Sequence, residues 1–122
     1  MAEIGSRKKI GNQGEAIAER YLSGLGYKIL GRNVLLKSGE VDILAKDKNC
    51  LVIVEVKTTS GNKFGPAKGY VNYRKQHKLR QLAAFYLQKY PEQEIRIDVI
   101  GIELNNSLVS IEHLKNAVGE NY

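Results

Sequence analysis

The sequence predicts an α/β sandwich around a mixed β-sheet, and two observations carry that prediction. Hydrophobic spacing changes along the chain in the order helix, strands, helix, strands, which fits layers packed about one sheet. The stretch LVIV, residues 51 to 54, is apolar without alternation, as in a strand covered on both faces. With 122 residues, 43% of them apolar and 26% charged, the chain has the size and composition of one globular domain. A single domain over 1–122 is expected, with flexible ends over 1–10 and 116–122.

Each element has its own signal. From Gly14 to about Leu25, the residues Ala18, Tyr21, Leu22 and Leu25 fall at i, i+3, i+4 and i+7 on one helix face, and Gly24 and Gly26 stop the helix. YKILGRNVLLKSGEVDILAKD alternates and is rich in Val, Ile and Leu, with turn signals at Gly31 to Asn33 and at Ser38-Gly39. It reads as one or two strands, the clearer running from Glu40 to Ala45. After KDKN comes a strand from Leu51 to Thr58, close enough to be an antiparallel hairpin partner. TSGNKFGPAKGYVN is a long polar loop, of a kind that is usually functional or disordered. Leu79, Leu82, Ala83 and Tyr86 restore the helical spacing and give a second helix, Tyr73 to Lys89, which Pro91 closes. EIRIDVIGIEL is a further alternating strand, Asn105-Asn106 a turn and LVSIEHL a returning hairpin arm.

Composition narrows the functional classes. The first residues have no apolar signal region, and no apolar run approaches the ~18 residues that span a bilayer, so a cytoplasmic protein is expected. Cys50 is the single cysteine and reads as a small filler, while His77 and His113 read as surface residues without zinc-ligand spacing. The net charge of +6 favours a polyanionic partner. Lys63, Lys68, Arg74, Lys75, Lys78 and Arg80 gather just after the apolar strand, and no basic helix with Trp or Phe anchors points to a membrane. Nucleic acid is the expected partner.

The apolar strand contains two charges. Alternation sends Glu55 and Lys57 to one face and Val52, Val54 and Val56 to the other. On the preceding arm it puts Glu40 and Asp42 on one face and Val41, Ile43 and Ala45 on the opposite one. If the arms pair, Asp42, Glu55 and Lys57 converge. A solvated face with ordinary ion pairs, worth under about 1 kcal/mol each, would account for these charges only if that face were exposed. If the acids are buried, their repulsion calls for a cation beyond Lys57. Mg²⁺, a hard ion that takes carboxylate and carbonyl oxygen and keeps several waters, suits Asp42, Glu55 and the carbonyl of Val56, with Mn²⁺ able to substitute. Lys57 beside such an ion would act on a water or a phosphate, which is machinery for phosphodiester hydrolysis.

These residues resemble a known pattern. Val41-Asp42, followed after twelve residues by EVK at Glu55 to Lys57, is similar to the PD-(D/E)XK nuclease superfamily, which includes restriction endonucleases and archaeal Holliday-junction resolvases. The flanking segments GNQGEAIAERYLSGLGYKIL, GEVDILAKD, LVIVEVKT, KQHKLRQLAAFYL and IRIDVIGI resemble, in order and spacing, the YraN-like family of small prokaryotic proteins in that superfamily. The likeness covers residues 10 to 104. It implies a restriction-endonuclease-like three-layer sandwich, a central mixed sheet flanked by helices. It also implies Asp42 and Glu55 as metal ligands, Lys57 as the catalytic lysine and Glu15 as the first-helix acid completing the metal site. Lys75 and Gln76 match a basic-polar pair that opens the second helix, and the register of Lys75 with Leu79, Leu82 and Tyr86 lets it either reach inward or snorkel to solvent. Glu40 is a second-tier ligand candidate that equally fits the strand's exposed start, and Asp98 is expected to pair with a neighbour such as Arg96 or to cap a strand end rather than bind metal. The motif proline is Val41 here, and Thr58-Thr59 stand where relatives often carry an arginine.

Two functions of different classes follow. One is a metal-dependent endonuclease acting on DNA, including branched or structured DNA, gripped by Lys63, Lys68, Arg74, Lys75, Gln76 and Lys78. The other is a nucleic-acid-binding or recruitment module that keeps a nuclease-like fold without cutting. A protein-interaction domain is a third reading, and a homodimer is compatible with the first, since a four-way junction has two symmetric cuts.

Overall fold

The computed structural model describes residues 2–60 and 72–118. Its elements are α1 (Ala2–Gly24), β1 (Lys28–Leu36), β2 (Gly39–Asp47), β3 (Cys50–Ser60), α2 (Tyr73–Lys89), β4 (Glu94–Asn105) and β5 (Leu108–Leu114). The five strands form one sheet in sequence order. Neighbours are antiparallel except β3 and β4, which run parallel because α2 carries the chain back across the sheet. The expected mixed α/β architecture is therefore present, as a five-stranded sheet flanked by two helices.

The helices cover opposite faces, and β3 shows why LVIV does not alternate. Val52 and Val54 pack with Ala18 and Leu22 of α1, together with Ile43, Ala45, Ile100 and Ile102. Leu51 and Ile53 pack with Leu79, Leu82, Ala83 and Tyr86 of α2, together with Val41, Ile97 and Val99. Each large aliphatic side chain taken fully from water contributes about 1.5–3 kcal/mol, so both layers hold the central strand strongly. The start of α2 is fixed by Asn72, whose side-chain oxygen accepts the Lys75 backbone N–H at 2.9 Å.

Several expectations are corrected. Helix α1 begins at Ala2, well before Gly14, and Leu25 lies past its end, 52% exposed. The chain leaves α1 through Gly26, whose φ of +96° suits glycine, while the Tyr27 N–H donates back to the Leu22 carbonyl at 3.0 Å. Gly31 to Asn33 is not a turn. β1 runs straight through it, with a bulge between Ile29 and Gly31 and a left-handed Asn33 at φ +51°. Val41 does not share a face with Ile43 and Ala45 either: it faces α2, while they face α1. Alternation fails there because β2 and β3 stop pairing beyond Ile43 and Val54, which frees the strand to rotate. Of the ends expected to be flexible, Met1 and residues 119–122 lie outside the described residues. Close to the other end, the Ala117 N–H donates to the Ile97 carbonyl at 2.7 Å and Val118 is buried.

Candidate functional site

The site lies where β2 and β3 part. In place of the next ladder bond, the Asp42 carboxylate accepts the Val56 N–H at 2.9 Å. An acid thereby satisfies a backbone donor that the departing strand no longer serves. Glu55, only 5% exposed, sits directly before that donor and faces α2, where Lys75 Nζ meets its Oε2 at 2.7 Å. The Asn72 cap sets the first turn of α2 and so places Lys75 over the strand. Alternation puts Lys57, half-buried, on the same face of β3 as Glu55.

Two further acids approach from the α1 side. The Asn33 side-chain amide donates to Glu15 Oε1 at 3.1 Å and to Glu40 Oε1 at 3.2 Å, clamping the two carboxylates together. Arg32 pairs with Glu15 at 3.5 Å and with Glu19 at 3.6 Å. Helix α1 comes this close because residue 14 is glycine: a Cβ there would stand 1.8 Å from Thr58 Oγ1 on β3. That close approach holds Glu15 beside the hairpin.

The electrostatic consequence falls on Asp42. Burial, and then the charges of Glu55, Glu15 and Glu40, push its carboxyl up to about 7, against a smaller lowering by the Val56 hydrogen bond. Such repulsion marks a place where a cation is favoured. In donor chemistry the pair Asp42 and Glu55 fits a hard dication, because Mg²⁺ is commonly held through one or two carboxylates with waters completing its shell. The acids do not form a preassembled cage: among the described residues, no three His, Cys, Asp or Glu side chains are grouped to hold a metal. Of the expected phosphate-gripping residues, Arg74 is exposed at the start of α2, and Gln76 and Lys78 are half-buried, with the Lys78 stem against Gly39. Lys63 and Lys68 lie outside the described residues.

A second polar cluster has no counterpart in the sequence reading beyond its Arg96–Asp98 pair. Asp98, fully buried, accepts from Arg96 Nε at 2.8 Å and from the Asn116 N–H at 3.1 Å, and meets His113 Nε2 at 2.7 Å. Burial alone would raise its carboxyl, but the hydrogen bonds from His113, Arg96 and Asn116 outweigh it and hold the group below the usual carboxylate range. Arg96 also donates to the Tyr27 hydroxyl at 2.6 Å and to Asp47 at 3.1 Å, and Tyr21 joins His113 Nδ1 at 3.0 Å. Burial and the Asp98 charge raise the Tyr27 phenol to about 12. His113 is thus a structural residue, its side chain 6% exposed, rather than the surface residue expected. Its partners are distant in sequence, so no local spacing announces them.

Fold and site together define a small mixed α/β protein with a buried glutamate and a half-buried aspartate where two strands separate. A family model described as "Uncharacterised protein family UPF0102" matches residues 14–102. A UPF0102 protein of Desulforamulus reducens is 45% identical over 118 residues, covering 92% of this chain and 97% of that protein. One of Thermodesulfovibrio yellowstonii is 44% identical, covering 92% and 97%, and one of Clostridium botulinum is 45% identical, covering 90% and 94%. The chain belongs to the UPF0102 family, which bears out the YraN-like resemblance. Among the described residues no helix is long and apolar enough to cross a membrane.

Proposed function

We propose that this protein is a metal-dependent endonuclease of the PD-(D/E)XK type, with a restriction-endonuclease-like fold, hydrolysing phosphodiester bonds in DNA, including branched or structured DNA. The observation that carries the reading is the hold of Asp42 on the Val56 N–H, between Glu55 and Lys57 in sequence, where β2 and β3 part, with burial and the charge of Glu55 pushing Asp42 up to about 7. A binding surface gains nothing from acids held beside a phosphate, whereas a hydrolytic site needs them.

Bound between Asp42 and Glu55, Mg²⁺ would supply Lewis-acid stabilisation of the phosphate and an activated water. The protein's own groups do the rest. The Val56 N–H fixes the Asp42 carboxylate, and Lys75 fixes Glu55. Lys57, on the Glu55 face, sets its ammonium toward charge that develops on a phosphate oxygen. Arg74, Gln76 and Lys78 at the start of α2 offer backbone-phosphate contacts without a base-reading pattern, so recognition rests on shape and charge.

One observation favours the binding-module reading: Lys75 pairs with Glu55 at 2.7 Å and offsets its charge. Cleavage of labelled single-stranded, duplex and four-way-junction DNA with Mg²⁺ or Mn²⁺ decides between the two. The nuclease reading expects metal-dependent cutting that falls at least about 100-fold in Asp42→Ala and Lys57→Ala while folding and DNA binding persist. No cutting of any substrate, with DNA binding unaltered by either substitution, would leave the binding module.

A further inference from the structure

We infer that β5 is a homodimer interface, through which two copies of this chain join their sheets edge to edge. The inference is independent of the nuclease reading.

Among the described residues, β5 pairs with β4 alone and forms one edge of the sheet. Three of its five exposed side chains are large and apolar, Leu108 at 70%, Val109 at 49% and Ile111 at 39%, and the other two are Ser110 and Glu112. The two edges of this sheet differ in kind. β1 also exposes Leu30 and Leu35, but it is interrupted by a bulge and a left-handed Asn33, and it carries Lys28 and Arg32. Those are features that discourage edge pairing. The β5 sequence, LVSIEHL, has no proline, lysine or arginine, and its pairing with β4 runs in unbroken register from Leu108 to Leu114.

This edge is also held firmly. His113 meets Asp98 at 2.7 Å, and just past the strand the Asn116 N–H donates to Asp98 at 3.1 Å. A fastened strand presents its outer backbone groups at little ordering cost on association.

Charge and register select a second copy as the occupant. The chain carries +6, yet β5 contributes Glu112 and His113 and no lysine or arginine, so two copies meet there with less repulsion than across the basic start of α2. An antiparallel two-fold pairing centred on Ser110 sets Val109 against Ile111 of the second copy twice, Ser110 against Ser110, and Leu108 against Glu112. Apolar side chains are thereby matched on the α1 face. Centring the axis on Glu112 would instead oppose two glutamates. Such an interface is isologous and closes at two subunits.

The experiment is sedimentation or light scattering on the full chain over a wide concentration range, with Val109→Lys and Ile111→Lys as variants and circular dichroism as the folding control. Alongside it, Ser110→Cys in a Cys50→Ser background is oxidised gently, with Lys37→Cys in the same background as the control at the far edge. Dimeric wild type, monomeric lysine variants of unchanged helicity and a covalent dimer from Ser110→Cys but not from Lys37→Cys are the results expected. A monomer at every concentration would overturn the inference, as would a dimer that survives both lysine substitutions while Ser110→Cys fails to cross-link. DNA cleavage is a separate readout and does not bear on the outcome.

Discussion

Asp42 is the residue on which sequence, burial and chemistry meet. Its carboxyl is raised from 3.8 to about 7, so between those values the folded protein binds a proton that the unfolded chain has released. Stability therefore falls as pH rises through this window. Asp42→Asn keeps an acceptor for the Val56 N–H and removes the charge, so it should stabilise the protein at about pH 8, by on the order of 2 kcal/mol, and do little near pH 4. Thermal melts at both pH values check the sign. A gain at low pH instead would contradict repulsion between Asp42 and its neighbouring acids. The same carboxylate gives a metal readout that needs no catalysis: Mg²⁺ at about pH 8 should raise the wild-type melting temperature and leave that of Asp42→Asn unmoved. Glu55 and Lys57 could be assigned to one face from the alternation of β3 alone. The clamp of Asn33 on Glu15 and Glu40 could not, because it depends on a left-handed residue inside a strand that local pattern reads as a turn.

At the scale of elements, the fit of α1 on β3 depends on Gly14. Its missing Cβ leaves room for Thr58, and Gly14→Ala should cost about 1–3 kcal/mol by overpacking. Urea denaturation should show the loss, and Thr58→Ala in the same chain should recover part of it by removing the two closest atoms. Full additivity of the pair would mean that the two residues do not meet. The hairpin of β2 and β3 was legible as a hairpin, since KDKN separates two apolar arms. Its parting beyond Ile43 was not, because alternation has no way to mark where a ladder ends. That parting rotates Val41 toward α2 and leaves the Val56 N–H for Asp42. Lys75 lies between these cases: its register with Leu79 and Leu82 allowed it to face inward, and the Asn72 cap with Glu55 as counter-ion decided that it does.

At the scale of the whole molecule, the Asp98 cluster ties α1 through Tyr21, the turn after it through Tyr27, β2 through Asp47 and β5 through His113. Asp98→Ala would leave the Arg96 guanidinium half-buried without its main counter-ion, and should cost about 3–5 kcal/mol with unfolding still cooperative. Chemical denaturation measures it, and a loss below about 1 kcal/mol would show that water replaces the carboxylate readily. For the proposed nucleic-acid partner, the +6 charge gives a prediction of its own: DNA affinity should fall with salt at a slope of about −0.9 per phosphate neutralised, whether or not the protein cuts. By itself the sequence determined the order of elements, the double cover of β3, the mixed sheet and the shared face of Glu55 and Lys57, because these follow from periodicity within short segments. Only the tertiary structure decided which acids surround Asp42, which cation holds Glu55 and what Asp98 and His113 are for. Those contacts join residues up to 92 positions apart, whose meeting is set by the packing of two helices on a twisted sheet and by no local pattern.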